Sequence, residues 1–382
     1  MNKIKICILG DICPTEDYRD IFDSKDSKQL FGESLKIIKN SDISICNFEC
    51  PATDNKKELV KCGPNLKANP QDVKFLKESG IKFFSLANNH IKDFGVIGVR
   101  ETIDLCKNEQ ISYVGAGNNL EEAKKPLIVK LKNKKIGILS FAEEEFNLAS
   151  EEEAGANHFD LYTSYDEIEE LKKNTDYVII LYHGGIEYYK YPSPLLQKKC
   201  RKMIEKGANI VLCQHSHCIG THEDYKNGRI LYGQGNSIYG YRKNHLTWNE
   251  GLIVCLEIGE TVEIKYHLLN SKENGVELVR EEIAEERLKK LEEESKSILN
   301  KNFIEEEWKK FVKKQEALYL PLLYGKGRIL NKVNRVLNNK LMEFLLSKKN
   351  KMVTMNLIRC DAHQEVVRTI LEDSIRGIKN DD

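Results

Sequence analysis

Tyr177-Val178-Ile179-Ile180-Leu181-Tyr182 is apolar at every position and runs into His183. An unbroken apolar run bounded by polar residues reads as a strand covered on both faces, which puts it inside a sheet flanked by helices. Downstream, Asn209 to Cys213 repeats the pattern and runs into Gln214-His215-Ser216-His217. Upstream, Ile4, Ile6 and Ile8 alternate as a strand up to Gly10-Asp11, Ile43 to Phe48 stops at Glu49, and Lys82 to Ala87 stops at Asn88-Asn89-His90. Helical patterns near Gln71 to Ser79, Gly98 to Glu109, Tyr165 to Asn174 and Pro194 to Lys206 separate these runs. Leu127 to Leu131 with Lys135 to Phe141, and Leu252 to Ile258 with Thr261 to Leu268, read as hairpins. The fold class is α/β, and the hairpins make its sheet mixed.

The 382 residues are enough for one large domain and a smaller one. Lys and Arg together number 59, as do Asp and Glu, so no global basic field exists to hold nucleic acid or an anionic membrane. The eleven cysteines lack the spacing of a disulfide framework, which suits a reducing, cytoplasmic compartment. Met1 to Asp11 meets a carboxylate before a signal-peptide core could form. No stretch approaches the roughly 20 apolar residues that span a bilayer, so no integral membrane segment is expected.

Composition shifts near Ser271-Lys272-Glu273-Asn274-Gly275, after which Glu and Lys dominate. A boundary there divides the chain into an α/β domain, residues 1–270, and a helical domain, residues 271–382. Glu281 to Leu299 and Glu305 to Leu318 read as amphipathic helices, with Trp308, Phe311 and Leu318 on one stripe. Further helices are expected over Arg335 to Leu346 and Asp361 to Ser374.

Open α/β sheets bind ligands beyond the carboxyl ends of their strands. The five tips here offer Asp11, Asn47 and Glu49, Asn89 and His90, His183, and His215 and His217. Carboxylates, amides and imidazoles together are what two-metal hydrolytic centres use, and hard oxygen with imidazole suits manganese, iron or zinc. Two cations side by side need a shared anionic ligand, for which Glu49 is the candidate. Asp11 would then hold one ion and Asn89 the other, while His90 could protonate a leaving oxygen. His215 and His217, alternate residues at a strand end, are expected to project the same way. Asp11 and Glu49 could instead cap the helices that follow, although glutamate is a poor cap. Cys13, Cys46, Cys50, Cys213 and Cys218 flank the motifs and read as small apolar packing rather than thiolate ligands.

Gly10-Asp11, Asn47-Phe48-Glu49-Cys50-Pro51-Ala52-Thr53, Leu86-Ala87-Asn88-Asn89-His90 with Asp93-Phe94-Gly95, His183-Gly184-Gly185-Ile186-Glu187-Tyr188, Gln214-His215-Ser216-His217 and Tyr232-Gly233-Gln234-Gly235-Asn236 stand in the order found in the CapA family of capsule and poly-γ-glutamate biosynthesis proteins. The resemblance covers roughly residues 3 to 255. That family resembles the calcineurin-like metallophosphoesterases, which implies a four-layer α/β/β/α sandwich, here followed by helices. The likeness implies metal ligation by Asp11, Asn47, Glu49, Asn89, His183, His215 and His217, and catalytic roles for His90 and Glu49. Glu187, Tyr188 and Asn236 fall to the substrate side, although Glu187 could equally orient His183 or face solvent. Metallophosphoesterases usually carry histidine two residues after the first aspartate, where this chain has Cys13.

The resemblance implies a metal-dependent phosphoesterase-like hydrolase of capsule, polysaccharide or poly-γ-glutamate synthesis, with two divalent ions and a small phosphorylated or glycan-linked substrate. Two alternatives stand beside it: a non-catalytic partner of other polymer-biosynthesis proteins, and a hydrolase or transferase of poly-glutamate amide bonds. Family members in poly-γ-glutamate export are often membrane-anchored. The tail Asn356 to Glu365 looks like that of relatives in polysaccharide clusters.

Overall fold

The computed structural model describes residues 3–61, 63–323, 328–346, 348 and 351. Its strands are β1 (Ile4–Ile12), β2 (Ile43–Phe48), β3 (Phe83–Ser85), β4 (Ser112–Val114), β5 (Ala116–Gly117), β6 (Leu127–Leu131), β7 (Lys134–Ala142) and β8 (Gly155–Ala156). They continue as β9 (Tyr177–His183), β10 (Ile210–Gln214), β11 (His222–Tyr225), β12 (Gly228–Leu231), β13 (Asn236–Ile238), β14 (Glu250–Ile258), β15 (Val262–Lys272) and β16 (Gly275–Leu278). One sheet has the order β16-β15-β14-β1-β2-β3-β4, with β13 also paired to β1, and the other has the order β11-β12-β10-β9-β7-β6. Both are mixed. β1 to β4 run parallel beside an antiparallel β14-β15-β16 edge. β7, β9, β10 and β12 run parallel between antiparallel β6 and β11.

Alternation along the strands builds the layers. Ile4, Ile6, Ile8, Ile43 and Ile45 meet Ile138, Ile179, Leu181, Ile210 and Leu212 in one buried cluster, so the two sheets pack face to face. The intervening Cys7, Leu9, Cys46 and Phe48 pack against Phe22, Val73, Phe75, Leu76, Val99 and Ile103, from the helices Arg19–Ser24, Pro70–Glu78 and Gly95–Asn108. Val178, Ile180, Tyr182 and Val211 likewise face Ile168, Leu171, Cys200, Met203 and Ile204, from the helices Ser164–Asn174 and Pro194–Glu205. The expected helix–sheet–sheet–helix layering is therefore borne out.

One irregularity bears on the site. Leu9 pairs with Cys46, but the next register partners are Asp11 and Asn47, so Gly10 is an extra residue in β1. Side chains alternate with a period of two, so an inserted residue moves everything after it to the other face. Without the bulge Asp11 would follow Leu9 toward the helices; with it, Asp11 shares the inter-sheet face of Asn47. Gly10 is needed there because a Cβ would lie 2.2 Å from the Gly235 carbonyl oxygen.

The expected boundary at residue 270 falls inside β15, and the chain divides into compact units Met1–Glu306 and Glu307–Asp382. The Glu- and Lys-rich helix Glu281–Ser297 belongs to the first unit. Leu291 joins the inter-sheet cluster, and Ser295 Oγ accepts from the His222 backbone N–H at 3.0 Å. The composition shift marks the solvent face of that helix, not the end of the domain. In the second unit Trp308 and Phe311 stack at 5.7 Å. The single helix expected over Arg335 to Leu346 is broken into Arg328–Val336 and Lys340–Leu345, because Asn338 and Asn339 take left-handed φ of 50° and 67°. The Leu318 side chain, the Asp361 to Ser374 helix and the Asn356 to Glu365 tail lie outside the described residues. Among the described residues no helix is long and apolar enough to cross a membrane.

Candidate metal centre

Asp11 lies near the end of β1, Asn47 and Glu49 at and after the end of β2, Asn88 to His90 beyond β3, His183 at the end of β9, and His215 and His217 beyond β10. All are buried. They form two groups in which one donor atom from each residue lies within 4.8 Å of the others: Glu49, His183 and His215, and Asp11, Glu49 and His217. Glu49 belongs to both. Asn89 Oδ1 lies 3.0 Å from His183 Nε2, beside the first group. The two histidines beyond β10 converge by a route other than strand alternation. β10 ends at Gln214, and His215 and His217 sit in a turn with left-handed φ of 82° and 50°. Backbone strain of this kind persists where surrounding structure holds it, and it clusters at functional sites.

Neighbouring amides aim these side chains. Asn236 Oδ1 lies 2.8 Å from His217 Nδ1, and Asn236 Nδ2 donates to the Trp248 carbonyl at 2.9 Å. The acceptor oxygen makes Nδ1 the protonated nitrogen of His217 and frees Nε2. Asn236, expected on the substrate side, is buried with both ends of its amide engaged, by His217 and by the Trp248 carbonyl. Asn47 presents nitrogen to the cluster: Nδ2 donates to Asp11 Oδ1 at 2.9 Å and lies 3.1 Å from His183 Nδ1. An amide nitrogen does not ligate a cation, so in this orientation Asn47 positions its neighbours, unlike the ligand expected from sequence. Asn88 keeps it turned that way, donating to Asn47 Oδ1 at 3.4 Å and to the Phe48 carbonyl at 2.9 Å. The His215 backbone N–H donates to Asp11 Oδ2 at 3.2 Å, and the Tyr239 hydroxyl to Glu49 Oε1 at 3.2 Å.

The electrostatics are those of charges held out of water. Burial pushes the Asp11 carboxyl up to about 6. Burial, and then the Asp11 charge, drives Glu49 well above the carboxylate range. Burial followed by the nearby His215 takes His183 well below the usual imidazole value and His217 down to about 3. His215 Nδ1 is buried without a hydrogen-bond partner. Two buried carboxylates, imidazole lone pairs and an orphaned ring nitrogen are what a divalent cation would satisfy, so these buried groups could hold metal. Cys13 is buried, its backbone N–H bonded to the Ile238 carbonyl at 2.7 Å, and it belongs to neither donor group.

His90 lies at the rim. Its Nδ1 is 2.6 Å from Asp93 Oδ2, which also accepts from the Leu66 backbone N–H at 2.7 Å. Lys61 forms an ion pair with Asp93, and its Nζ is 3.2 Å from the same imidazole nitrogen. Asp93, Lys61 and Glu145 carried no role in the sequence reading. Glu145 Oε2 accepts from Asn89 Nδ2 at 3.1 Å, and Oε1 lies 3.5 Å from His215 Nε2. The signal for Glu145 was available: Glu143-Glu144-Glu145 is the polar cluster at the tip of β7, the same grammar as the other five. Tyr188 stands at the mouth, 44% exposed. Glu187 is exposed and takes part in no hydrogen bond or ion pair among the described residues, which matches the solvent-facing alternative.

Residues 5–241 match the family profile described as bacterial capsule synthesis protein PGA_cap. The chain belongs to this family. It is 30% identical over 247 residues to the capsule biosynthesis protein CapA of Bacillus anthracis, covering 62% of this chain and 60% of that one. It is 29% identical over 243 residues to the PGA biosynthesis protein CapA of Bacillus subtilis strain 168, covering 62% and 64%. The chain thus spans less than two thirds of the length of these relatives. Among solved structures, it is similar to a phosphatase from Mycoplasma pneumoniae, with a TM-score of 0.41 at 14% identity over 71% of this chain and 95% of that one. The expected family membership is borne out.

Proposed function

We propose that this chain is a metal-dependent phosphoesterase-type hydrolase in the synthesis of capsule polysaccharide or poly-γ-glutamate. The observation that carries this reading is the pair of buried donor groups joined through Glu49. Glu49, His183 and His215, with Asn89, would hold one divalent ion, and Asp11, Glu49 and His217 the other. Manganese, iron or zinc so bound would polarise a phosphoryl oxygen and lower the pKa of water. The chain's own residues do the rest. Asn236 fixes the His217 ring with Nε2 free, sparing the reorganisation that a loose side chain would need. His90, steadied by Asp93, delivers a proton to the leaving oxygen. The turn-held His215 and His217 keep the floor of the site rigid.

The test is a metal count with turnover. Protein stripped with chelator and reloaded with manganese should hold about two equivalents and hydrolyse bis-p-nitrophenyl phosphate or p-nitrophenyl phosphate. Glu49→Ala and His215→Ala should lose that activity. Less than about a tenth of an equivalent, with no hydrolysis of either ester, would contradict the reading.

One observation favours a non-catalytic role in a polymer-synthesis assembly. Cys13, which stands where a histidine ligand is usual, is packed into the hydrophobic core. On that reading Glu49→Ala leaves cellular polymer output intact while the purified wild-type protein turns over no ester.

A further inference from the structure

Beside the metal centre stands a cation with no assigned task. Arg242 is exposed, yet its guanidinium is held in place. Its central carbon sits 3.2 Å from the centroid of the Trp248 ring, and Nη1 donates to the Tyr188 hydroxyl at 3.3 Å. The Asn249 side chain engages both backbone groups of Arg242, accepting from its N–H at 3.0 Å and donating to its carbonyl at 2.7 Å. The supports are fixed in turn. Trp248 is buried with its ring centroid 4.8 Å from that of His217. The Tyr188 backbone N–H bonds to the Ser216 carbonyl at 2.8 Å, between the two turn histidines. The guanidinium therefore stands one indole ring away from a candidate ligand.

Arg19, Arg201, Arg229 and Arg287 are each paired with a carboxylate, respectively Asp72, Glu223, Asp224 and Glu250. Arg100 and Arg280 have no such pair among the described residues, but unlike Arg242 neither is held over an aromatic ring there. No carboxylate among the described residues pairs with Arg242. A guanidinium that is rigid, accessible and without an anion is a preorganised receptor for phosphate or carboxylate. Glu145, half-exposed, lies against Asn89 and His215, whereas Arg242 lies over Trp248, the ring beside His217. An anion is repelled by Glu145 and attracted by Arg242.

We infer that Arg242, on its Trp248 and Tyr188 support, binds a second anionic group of the substrate next to the phosphoryl group at the metal centre. This rests on the phosphoesterase reading above. It narrows the substrate class to phosphate esters carrying a further negative charge close to the scissile group, either a second phosphoryl group or a carboxylate. It makes Arg242 the specificity-determining residue for that charge.

The experiment compares wild type, Arg242→Gln and Arg242→Lys in calorimetric titrations with methylenediphosphonate, phosphonoacetate and methylphosphonate, each with manganese and with chelator. Manganese stoichiometry and thermal midpoint are measured for each protein first; Arg242 is at the surface, so both should match wild type. Arg242→Gln should weaken a doubly anionic probe about 10- to 100-fold, the range of a charge-assisted hydrogen-bonded contact, and leave methylphosphonate unchanged. Arg242→Lys should fall between. The probe that loses more identifies the second group as phosphoryl or carboxylate. Equal affinity of wild type and Arg242→Gln for both doubly anionic probes, with and without manganese, overturns the inference. An equal loss for all three probes also overturns it, since Arg242 would then act on the phosphoryl group itself. Failure of the wild type to bind manganese is read in the separate metal count and bears on the phosphoesterase reading.

Discussion

Replacing Asp11 by asparagine should stabilise the chelated protein and impair the metal-loaded one, an opposition that only a ligand carboxylate produces. The Asp11 carboxyl is fully buried and raised from 3.8 to about 6. A carboxyl whose folded pKa is raised binds its proton more tightly in the folded state. The resulting penalty is absent below the unfolded value and complete above the folded one. Roughly two units at about 1.4 kcal/mol each give about 3 kcal/mol against the chelated fold at neutral pH. Asparagine removes the charge but offers one acceptor where Asp11 accepts from both Asn47 Nδ2 and the His215 N–H, a loss of about 1 kcal/mol. The net gain of about 2 kcal/mol corresponds to a midpoint about 4 °C higher in a domain of this size. It should vanish as the pH falls toward 4. His217, lowered to about 3, contributes the opposite trend, losing stability as pH falls from its ordinary value of 6.5, so the quantity read is the difference between variants.

Manganese at about a hundred times its dissociation constant adds about 2.7 kcal/mol per site, or roughly 5 °C. Wild type should therefore rise by about 10 °C and Asp11→Asn by about half of that, keeping only the Glu49, His183 and His215 site. Differential scanning calorimetry between pH 4.5 and 7.5, in chelator and in manganese, reads both effects. A variant that melts lower than wild type in chelator at neutral pH, with an undiminished manganese-induced rise, would rule out Asp11 as a ligand. Asp11 would then be no more than an acceptor for the His215 turn.

Asn236→Ala should lower affinity for one of two manganese ions about 10- to 100-fold and spare the other, because His217 loses the partner that fixes its tautomer; metal titration by electron paramagnetic resonance resolves the two. His90→Ala should lower kcat about 10²- to 10⁴-fold for alkyl phosphate esters, with a much smaller effect on p-nitrophenyl esters, whose leaving group needs no proton, and with unchanged metal content. Gly10→Ala forces a Cβ against the Gly235 carbonyl and should cost about 1–3 kcal/mol or more, read as a lower denaturant midpoint or loss of soluble protein.

Much of the pair of sheets was legible because buried parallel strands announce themselves. Ile43 to Phe48 is β2 residue for residue, Tyr177 to Tyr182 is β9 less its terminal histidine, and both hairpins formed. Alternation through Tyr177, Ile179 and Leu181 also puts His183 on the inter-sheet face. The same rule applied to β1 would have sent Asp11 to the wrong face, since nothing in Ile8-Leu9-Gly10-Asp11 distinguishes a bulge from a plain strand end. The turn that carries His215 and His217 was hidden for a related reason: left-handed backbone at histidine is imposed by its surroundings. Asn47 illustrates a different limit. Its place beside the carboxylates followed from sequence, but which end of its amide faces them depends on Asn88, a neighbour in space. Lys61 reaches Asp93 from the irregular chain before Leu66, where periodicity carries no information. The boundary set at residue 270 responded to surface charge, and Leu291, buried in a Glu-rich helix, outweighs that charge in deciding where the domain continues.

On the reading proposed above, Glu49 joins two cation sites. Crystals grown with manganese and measured at wavelengths on either side of its absorption edge test it most directly. Two anomalous peaks about 3.5–4 Å apart are expected, both in contact with the Glu49 carboxylate, one flanked by His183 and His215 and the other by Asp11 and His217. A single peak remote from Glu49, or no peak among these side chains, would contradict it.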